Sequence, residues 1–177
     1  MSILKYLITL SLLALLCMPS YSQSYIYMND RQYEATSSWE FQLNASHISG
    51  NPRIAVVKNS NRGYLLISIG VPFQSNYIGG NVTLFLNDGS TITCFDRGIR
   101  DHVNDRSKAL YYFTSSEIER LKEHRITRIR FSIVRGSQGE RAYTADNYKP
   151  GYVAQSFRVR AHQNYHPTDT AVRKLFD

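Results

Sequence analysis

Two alternating runs flank an Asp-Gly pair in the segment Val82-Thr-Leu-Phe-Leu-Asn-Asp-Gly-Ser-Thr-Ile-Thr-Cys-Phe95. An Asp-Gly pair in this position is a strong signal for a β-hairpin. A two-residue loop would mix polar and apolar side chains on both faces. A three-residue loop, with Gly89 in the left-handed region, pairs Leu84 with Ile92 and collects one apolar face, which comprises Val82, Leu84, Leu86, Ile92 and Cys94. Because a slip of one residue reverses every side chain, this register is predicted, with Cys94 in the core.

Other strand-like runs lie on both sides of this hairpin at short spacing, separated by turn residues. They cover residues 39–43, 53–58, 64–69, 108–113 and 126–134. In the last of these, Ile129, Phe131 and Ile133 are predicted to point inward, and Arg128, Arg130 and Ser132 outward. Residues 97–107 and 135–152 show no apolar period, so both stretches are predicted to be loops.

Two helices are predicted near the C-terminal end. Thr114-Ser-Ser-Glu117 is a capping box, which predicts a short helix over residues 115–124. A second helix is predicted over 168–176, with Thr168 as its cap. Residues 152–165 fit both a helix and a strand, with the helix favoured. The absence of βαβ alternation makes the fold class α+β and mainly β, an antiparallel sheet or sandwich with two helices.

The first 22 residues have the layout of a secretory signal peptide. Lys5 is followed by an apolar run from Tyr6 to Met18, and Pro19 precedes the small-x-small site Ser20-Tyr21-Ser22. The run of roughly a dozen residues is shorter than the ~20 of a transmembrane helix, so no membrane span is expected. The predicted organisation is a signal peptide over 1–22, a loosely ordered segment over 23–38 and one β-rich domain over 39–177. The expected location is the periplasm or the exterior.

The charge distribution narrows the possible binding partners, and the cysteine content argues against an internal disulfide. Without Lys5 the chain keeps 20 Lys/Arg against 14 Asp/Glu, and from Arg125 onward ten basic residues face four acidic ones. Such asymmetry suits an acidic protein or an anionic glycan, while export argues against nucleic acid. Cys17 would leave with the signal peptide, so Cys94 remains alone and no internal disulfide is expected.

Three blocks together resemble a known group of proteins. They are the Asp-Gly-Ser hairpin at 82–90, the run Tyr111 to Leu121 with its capped helix, and Ile126-Thr-Arg-Ile-Arg-Phe131. This ensemble is similar to exported β-rich proteins of Gram-negative anaerobes that have no assigned activity. The resemblance covers residues 82–134. It implies a compact β-rich domain, and it carries over no functional residue.

Candidate catalytic and metal-binding residues are few. Asp96, Asp101, His102 and Asp105 could bind a hard cation or act in acid–base chemistry, but Arg97, Arg100 and Arg106 are interleaved with them, which favours local ion pairs. His162 and His166 have a spacing that suits zinc on a helix, yet no Glu adjoins them and Pro167 follows. No nucleophile motif is present. We therefore expect no catalytic residue, no metal and no cofactor.

A binding surface is the stronger hypothesis. Arginine and tyrosine contribute much of the energy of protein contacts, and the chain holds 13 Tyr. The candidate surface residues are Arg128, Arg130, Arg158 and Arg160. The favoured function is a non-catalytic binding or interaction protein of the cell envelope. The alternatives are a periplasmic immunity protein that neutralises a toxin and, as an outsider, a hydrolase acting on envelope polymers.

Overall fold

The structure is a computed structural model that describes residues 24–28, 31–45, 50–71, 73–149 and 165–177. Within these residues the chain forms antiparallel strands in two sheets, together with two helices. The strands are β1 (Ser24–Met28), β2 (Arg31–Ala35), β3 (Trp39–Glu40), β4 (Gln42–Leu43), β5 (Arg53–Asn59), β6 (Arg62–Gly70), β7 (Asn76–Leu86), β8 (Thr91–Cys94), β9 (Arg100–Val103), β10 (Arg106–Phe113), β11 (Ile126–Arg135) and β12 (Glu140–Asp146). The helices are α1 (Ser115–Glu123) and α2 (Thr168–Phe176). The predicted α+β, mainly β class is confirmed.

The two sheets enclose one hydrophobic core. The first sheet has the order β1-β2-β5-β6-β10-β9, with β3 also paired to β5, and it curls into a half-barrel. The second sheet has the order β4-β12-β11-β7-β8. Phe41, Leu65, Ile67, Tyr111 and Phe131 are among the largest buried side chains, and they come from both sheets or from the β3–β4 connection. Burial of these alternating faces is what holds the strands in register.

The hairpin of β7 and β8 has the predicted geometry. Leu84 pairs with Ile92 and Val82 with Cys94. The amide of Leu86 donates to the carbonyl oxygen of Ser90 at 2.9 Å, and Gly89 has a φ of +85°. The three-residue loop is therefore confirmed, because only this register places all the aliphatic side chains of both strands on the core face.

Helix α1 begins at its predicted capping box. The Thr114 hydroxyl accepts a hydrogen bond from the Glu117 amide, and the Glu117 carboxylate accepts one from the Thr114 amide. The buried residues Ile118 and Leu121 pack on the core. Helix α2 covers the predicted 168–176, but Thr168 does not cap it. The Thr168 hydroxyl instead accepts a hydrogen bond from the buried Ile126 amide, which attaches α2 to β11.

Both predicted loops contain strands. Residues 97–107 include β9 and the start of β10, joined at Asn104 and Asp105, which both have positive φ. Residues 135–152 include a 3₁₀ turn at Gly136–Gln138 and then β12, which pairs along β11. The apolar period fails to reveal β9 because its residues are largely exposed at a sheet edge. Asn and Asp are common in two-residue hairpin loops with positive φ, so the pair Asn104-Asp105 was a sequence signal for the turn between β9 and β10.

The segment 23–38, predicted to be loosely ordered, contains the paired strands β1 and β2, which belong to the first sheet. Ser132, predicted to point outward, is buried, although Ile129, Phe131 and Ile133 keep the predicted alternation along β11. The register shift between Arg130 and Ser132 adds residues to β7, because β11 pairs with β12 without interruption. The signal peptide over 1–22 and most of 152–165 lie outside the described residues.

Candidate binding cleft and the predicted arginine surface

Arg128 and Arg130 lie where the sequence predicts, on the exposed outer face of the second sheet. The Arg128 guanidinium forms an ion pair with Asp146 of the neighbouring strand, which raises the Arg128 pKa. Arg130 lines a shallow cleft of about 340 Å³ together with Arg141 and Asn44. On this face, therefore, the Arg128 guanidinium is paired with Asp146 and the Arg130 guanidinium is accessible. Arg158 and Arg160 lie outside the described residues.

The acidic residues and the histidine of the 96–105 stretch do not form one site. Asp96 pairs with Arg100 and also accepts hydrogen bonds from the amides of Gly80 and Gly98. The Asp101 carboxylate accepts a hydrogen bond from the next amide, that of His102. The His102 ring lies 3.3 Å from the Val71 carbonyl oxygen. These contacts stabilise the backbone, as local ion pairs and turn bonds do.

His166 and Cys94 also have structural surroundings. The Nε2 atom of His166 lies 3.0 Å from the Glu40 carbonyl oxygen, its ring stacks on Phe41, and burial lowers its pKa. His162, its proposed zinc partner, lies outside the described residues. Burial, assisted by Glu117, raises the pKa of the Cys94 thiol to about 12, so the thiolate needed for reactivity is suppressed. Within the described ranges, no group of three or more His, Cys, Asp or Glu side chains could hold a metal ion.

A larger cleft lies at the opposite side of the molecule, where β10 runs into α1. Its volume is about 790 Å³, within the range of small-ligand sites. We call it the Arg62–Arg97 cleft. Its lining comes from the start of β6, the β8–β9 connection, the end of β10 and the start of α1, and comprises Arg62, Arg97, Ile99, Tyr112, Phe113, Thr114, Ser115 and Ser116. Three separate segments of the chain therefore meet at one site, since the end of β10 continues directly into α1.

Strand pairing positions the aromatic wall of this cleft. Tyr64 of β6 lies directly opposite Tyr112 of β10, so both rings share the outer face of the first sheet. Their ring centroids are 4.7 Å apart, and Tyr33 of β2 meets the edge of Tyr64 at 6.3 Å. The Asn59 amide group donates to the Tyr64 hydroxyl at 2.9 Å. Burial, and then the interaction with Tyr112, raises the Tyr64 pKa above its ordinary value.

The tyrosine wall orients one of the two arginines. The Arg97 guanidinium carbon lies 5.3 Å from the centroid of the Tyr112 ring, a cation–π arrangement. Stacking occupies the flat face of the guanidinium and leaves its in-plane N–H groups available for an acceptor. Arg62 is exposed at the other side of the cleft. Arg97 is thus held in place before any ligand arrives.

The cleft is positively charged and lacks its own counter-ion. Two of its eight lining residues are arginine and none is acidic. Among the ion pairs of the described part of the chain, none involves Arg62 or Arg97. The nearby carboxylate of Glu117 is committed to capping α1, and that of Asp96 to Arg100. An anionic group would therefore find two unpaired guanidinium groups here.

The remaining lining favours polar contacts. Thr114, Ser115 and Ser116 bring three hydroxyl groups, and Tyr112 brings a fourth. Phe113 is only 1 % exposed, so the apolar surface that a ligand could touch comes from Ile99 and from the exposed Tyr112 ring. Ile99 also lines a separate small cavity of about 70 Å³ together with Ile26 and Tyr27 of β1. The cleft therefore offers hydroxyl groups beside one aromatic face.

Comparisons with protein-family models, with curated proteins and with solved structures found no match for this chain. No helix in the described ranges is long and apolar enough to cross a bilayer.

The sequence pointed to a combination of arginine and tyrosine but not to these residues. Tyr64 and Tyr112 are 48 positions apart, and their contact depends on the pairing of β6 with β10. No feature within the sequence of either strand predicts the pairing of β6 with β10. A partial signal existed at Tyr111-Tyr112, because adjacent residues of a strand face opposite sides and one of the two tyrosines had to point outward.

Proposed function

We propose that this chain is a non-catalytic binding protein of the cell envelope and that the Arg62–Arg97 cleft is its binding site. The observation that carries the proposal is the preformed cleft, in which Arg97 is stacked on Tyr112 and two guanidinium groups lack acidic partners. Tyrosine and arginine contribute binding energy at low entropic cost, because tyrosine has few rotatable bonds and a stacked arginine is already oriented.

Removal of the stacking platform tests the site. We expect Tyr112→Ala to weaken retention of solubilised envelope components by about tenfold, because Arg97 loses its support. The matched comparison is the double variant Arg128→Gln/Arg130→Gln, which alters the arginine surface predicted from the sequence. Its melting temperature should stay nearly unchanged, since exposed charges contribute little to stability. Retention is measured by titrating envelope extract against immobilised protein.

The two variants separate the possible sites. Weaker retention by Tyr112→Ala alone supports the cleft. Weaker retention by the Arg128/Arg130 variant alone would move the binding site to the outer face of the second sheet. Unchanged retention by both would contradict a binding role for either surface. Chemical shortening of a bound polymer would instead identify a hydrolase, and selective retention of a toxin would identify an immunity protein.

Export is part of the same proposal. The apolar run from Tyr6 to Met18 and the Ser20-Tyr21-Ser22 site support cleavage after Ser22. The expected result is a mature protein that begins at Gln23 and carries no lipid. Intact mass spectrometry of the protein recovered from the cell envelope measures this directly. A mass that includes residues 1–22, or a lipid on Cys17, would refute the assignment.

A further inference from the structure

We infer that the ligand of the Arg62–Arg97 cleft is an anionic glycan, whose acidic group lies between the two guanidinium groups. This inference rests on the proposed function and names its ligand class. Its first support is charge, because Arg62 and Arg97 lie in a lining without acidic residues. Guanidinium groups bind carboxylate, phosphate and sulfate oxygens through paired, charge-assisted hydrogen bonds.

The hydroxyl groups of the cleft support a sugar as the carrier of that anion. Ser116 is exposed at the start of α1 and Ser115 lies beside it, whereas the Thr114 hydroxyl is held by Glu117 in the capping box. Hydroxyls both donate and accept, so they can exchange hydrogen bonds with sugar hydroxyls of either orientation. The Tyr112 hydroxyl completes this polar border. The anion and the sugar hydroxyls thus have separate partners in one cleft.

An acidic peptide fits the cleft less well. Peptide recognition relies on pockets for apolar side chains in addition to main-chain contacts. Phe113 is nearly completely buried, so the apolar surface of the cleft is limited to Ile99 and the exposed Tyr112 ring, which Arg97 overlies. The small cavity beyond Ile99, at about 70 Å³, is also bordered by charged side chains, including Arg100, Asp101 and Lys108. The observations therefore favour the glycan.

The test uses three hexamers, of which one is an acidic glycan, one a neutral glycan and one an acidic peptide, together with an anionic lipid surface. Isothermal titration is carried out with hexagalacturonate, neutral maltohexaose, hexaglutamate and vesicles containing phosphatidylglycerol. We expect hexagalacturonate to bind more tightly than the other three probes, with an affinity that falls as salt rises. Arg62→Gln and Arg97→Gln should each weaken it about tenfold. The Arg128→Gln/Arg130→Gln variant removes two charges elsewhere and should leave it unchanged.

The possible results distinguish the identity of the ligand from the proposed binding role of the cleft. Tighter binding of maltohexaose, with no effect of either cleft variant, would overturn the anionic ligand. Preference for hexaglutamate would reassign the cleft to an acidic protein, and preference for vesicles would reassign it to a lipid headgroup. An equal loss in the Arg128/Arg130 variant would reduce the effect to net charge. Failure of hexagalacturonate to bind, with envelope retention still dependent on Tyr112, would refute the ligand and leave the proposed function standing.

Discussion

Phe131→Ala is expected to lower the free energy of unfolding by about 4 kcal/mol. Phe131 is fully buried on β11, which pairs with β7 on one side and with β12 on the other. Its ring packs against Tyr143, with centroids 6.1 Å apart. Truncation removes apolar burial and leaves a cavity that the paired strands cannot collapse to fill. Chemical denaturation followed by tyrosine or tryptophan fluorescence measures the loss.

Phe95→Ala is the matched control for this substitution. Phe95 is 67 % exposed, so the same truncation should change the free energy of unfolding by less than about 1 kcal/mol. Similar losses in the two variants would mean that Phe131 is not a central core residue, and would contradict the arrangement of the second sheet. A much larger loss at Phe131 agrees with the packing of both sheets around one core.

Asn147→Ala is expected to lower the free energy of unfolding by about 3 kcal/mol. The loss comes from broken hydrogen bonds and not from a cavity. Asn147 is fully buried, and its side-chain amide donates to the carbonyl oxygens of Ile126 and His166 at 2.6 and 3.0 Å. Its side-chain oxygen accepts from the His166 amide at 2.9 Å. Alanine would remove the Asn147 partner of the buried Ile126 carbonyl oxygen and of the part-buried His166 amide, while the His166 carbonyl oxygen keeps its hydrogen bond from the Thr168 amide.

The loss at Asn147 has a local signature as well. Because His166 lies two residues before the start of α2, the amides of that helix should exchange with solvent faster in the variant. Asn44→Ala provides the comparison, since Asn44 is exposed and makes one side-chain hydrogen bond to Asp146. We expect Asn44→Ala to change stability by less than about 1 kcal/mol and α2 exchange not at all. Equal effects at the two positions would refute the structural role of Asn147.

Features with a short sequence range were predicted well. The β7–β8 register and the capping box of α1 each follow from fewer than 15 consecutive residues. In both cases one local arrangement satisfies the hydrogen bonds and the apolar pattern, and its competitors do not. The edge strand β9 and the strand β12, which lies between β4 and β11, were missed, since both carry polar residues on exposed positions and β12 alternates in burial only toward its end. Apolar periodicity in a sequence reflects a buried face, so it does not reveal strands whose residues are mostly exposed.

The two candidate binding surfaces show the same contrast between features set by one strand and features set by strand pairing. The exposure of Arg128 and Arg130 follows from alternation along a single strand, and the sequence predicted it. The ion pair of Arg128 with Asp146 could not be foreseen, because β12 was predicted as a loop. The pairing of β6 with β10 likewise brings Tyr64 against Tyr112, and the β8–β9 connection then adds Arg97.

The sequence by itself determined the fold class, the β7–β8 hairpin, the first turn of α1 and the burial of Cys94. Each of these depends on interactions between residues close together in the chain, or on the apolar side that one strand must bury. Only the tertiary structure decided which arginines and tyrosines meet. The Arg62–Arg97 cleft combines three segments spread over residues 62–116. Their contact is set by strand order and sheet curvature, which are collective properties of the packed core and leave no mark on any one segment.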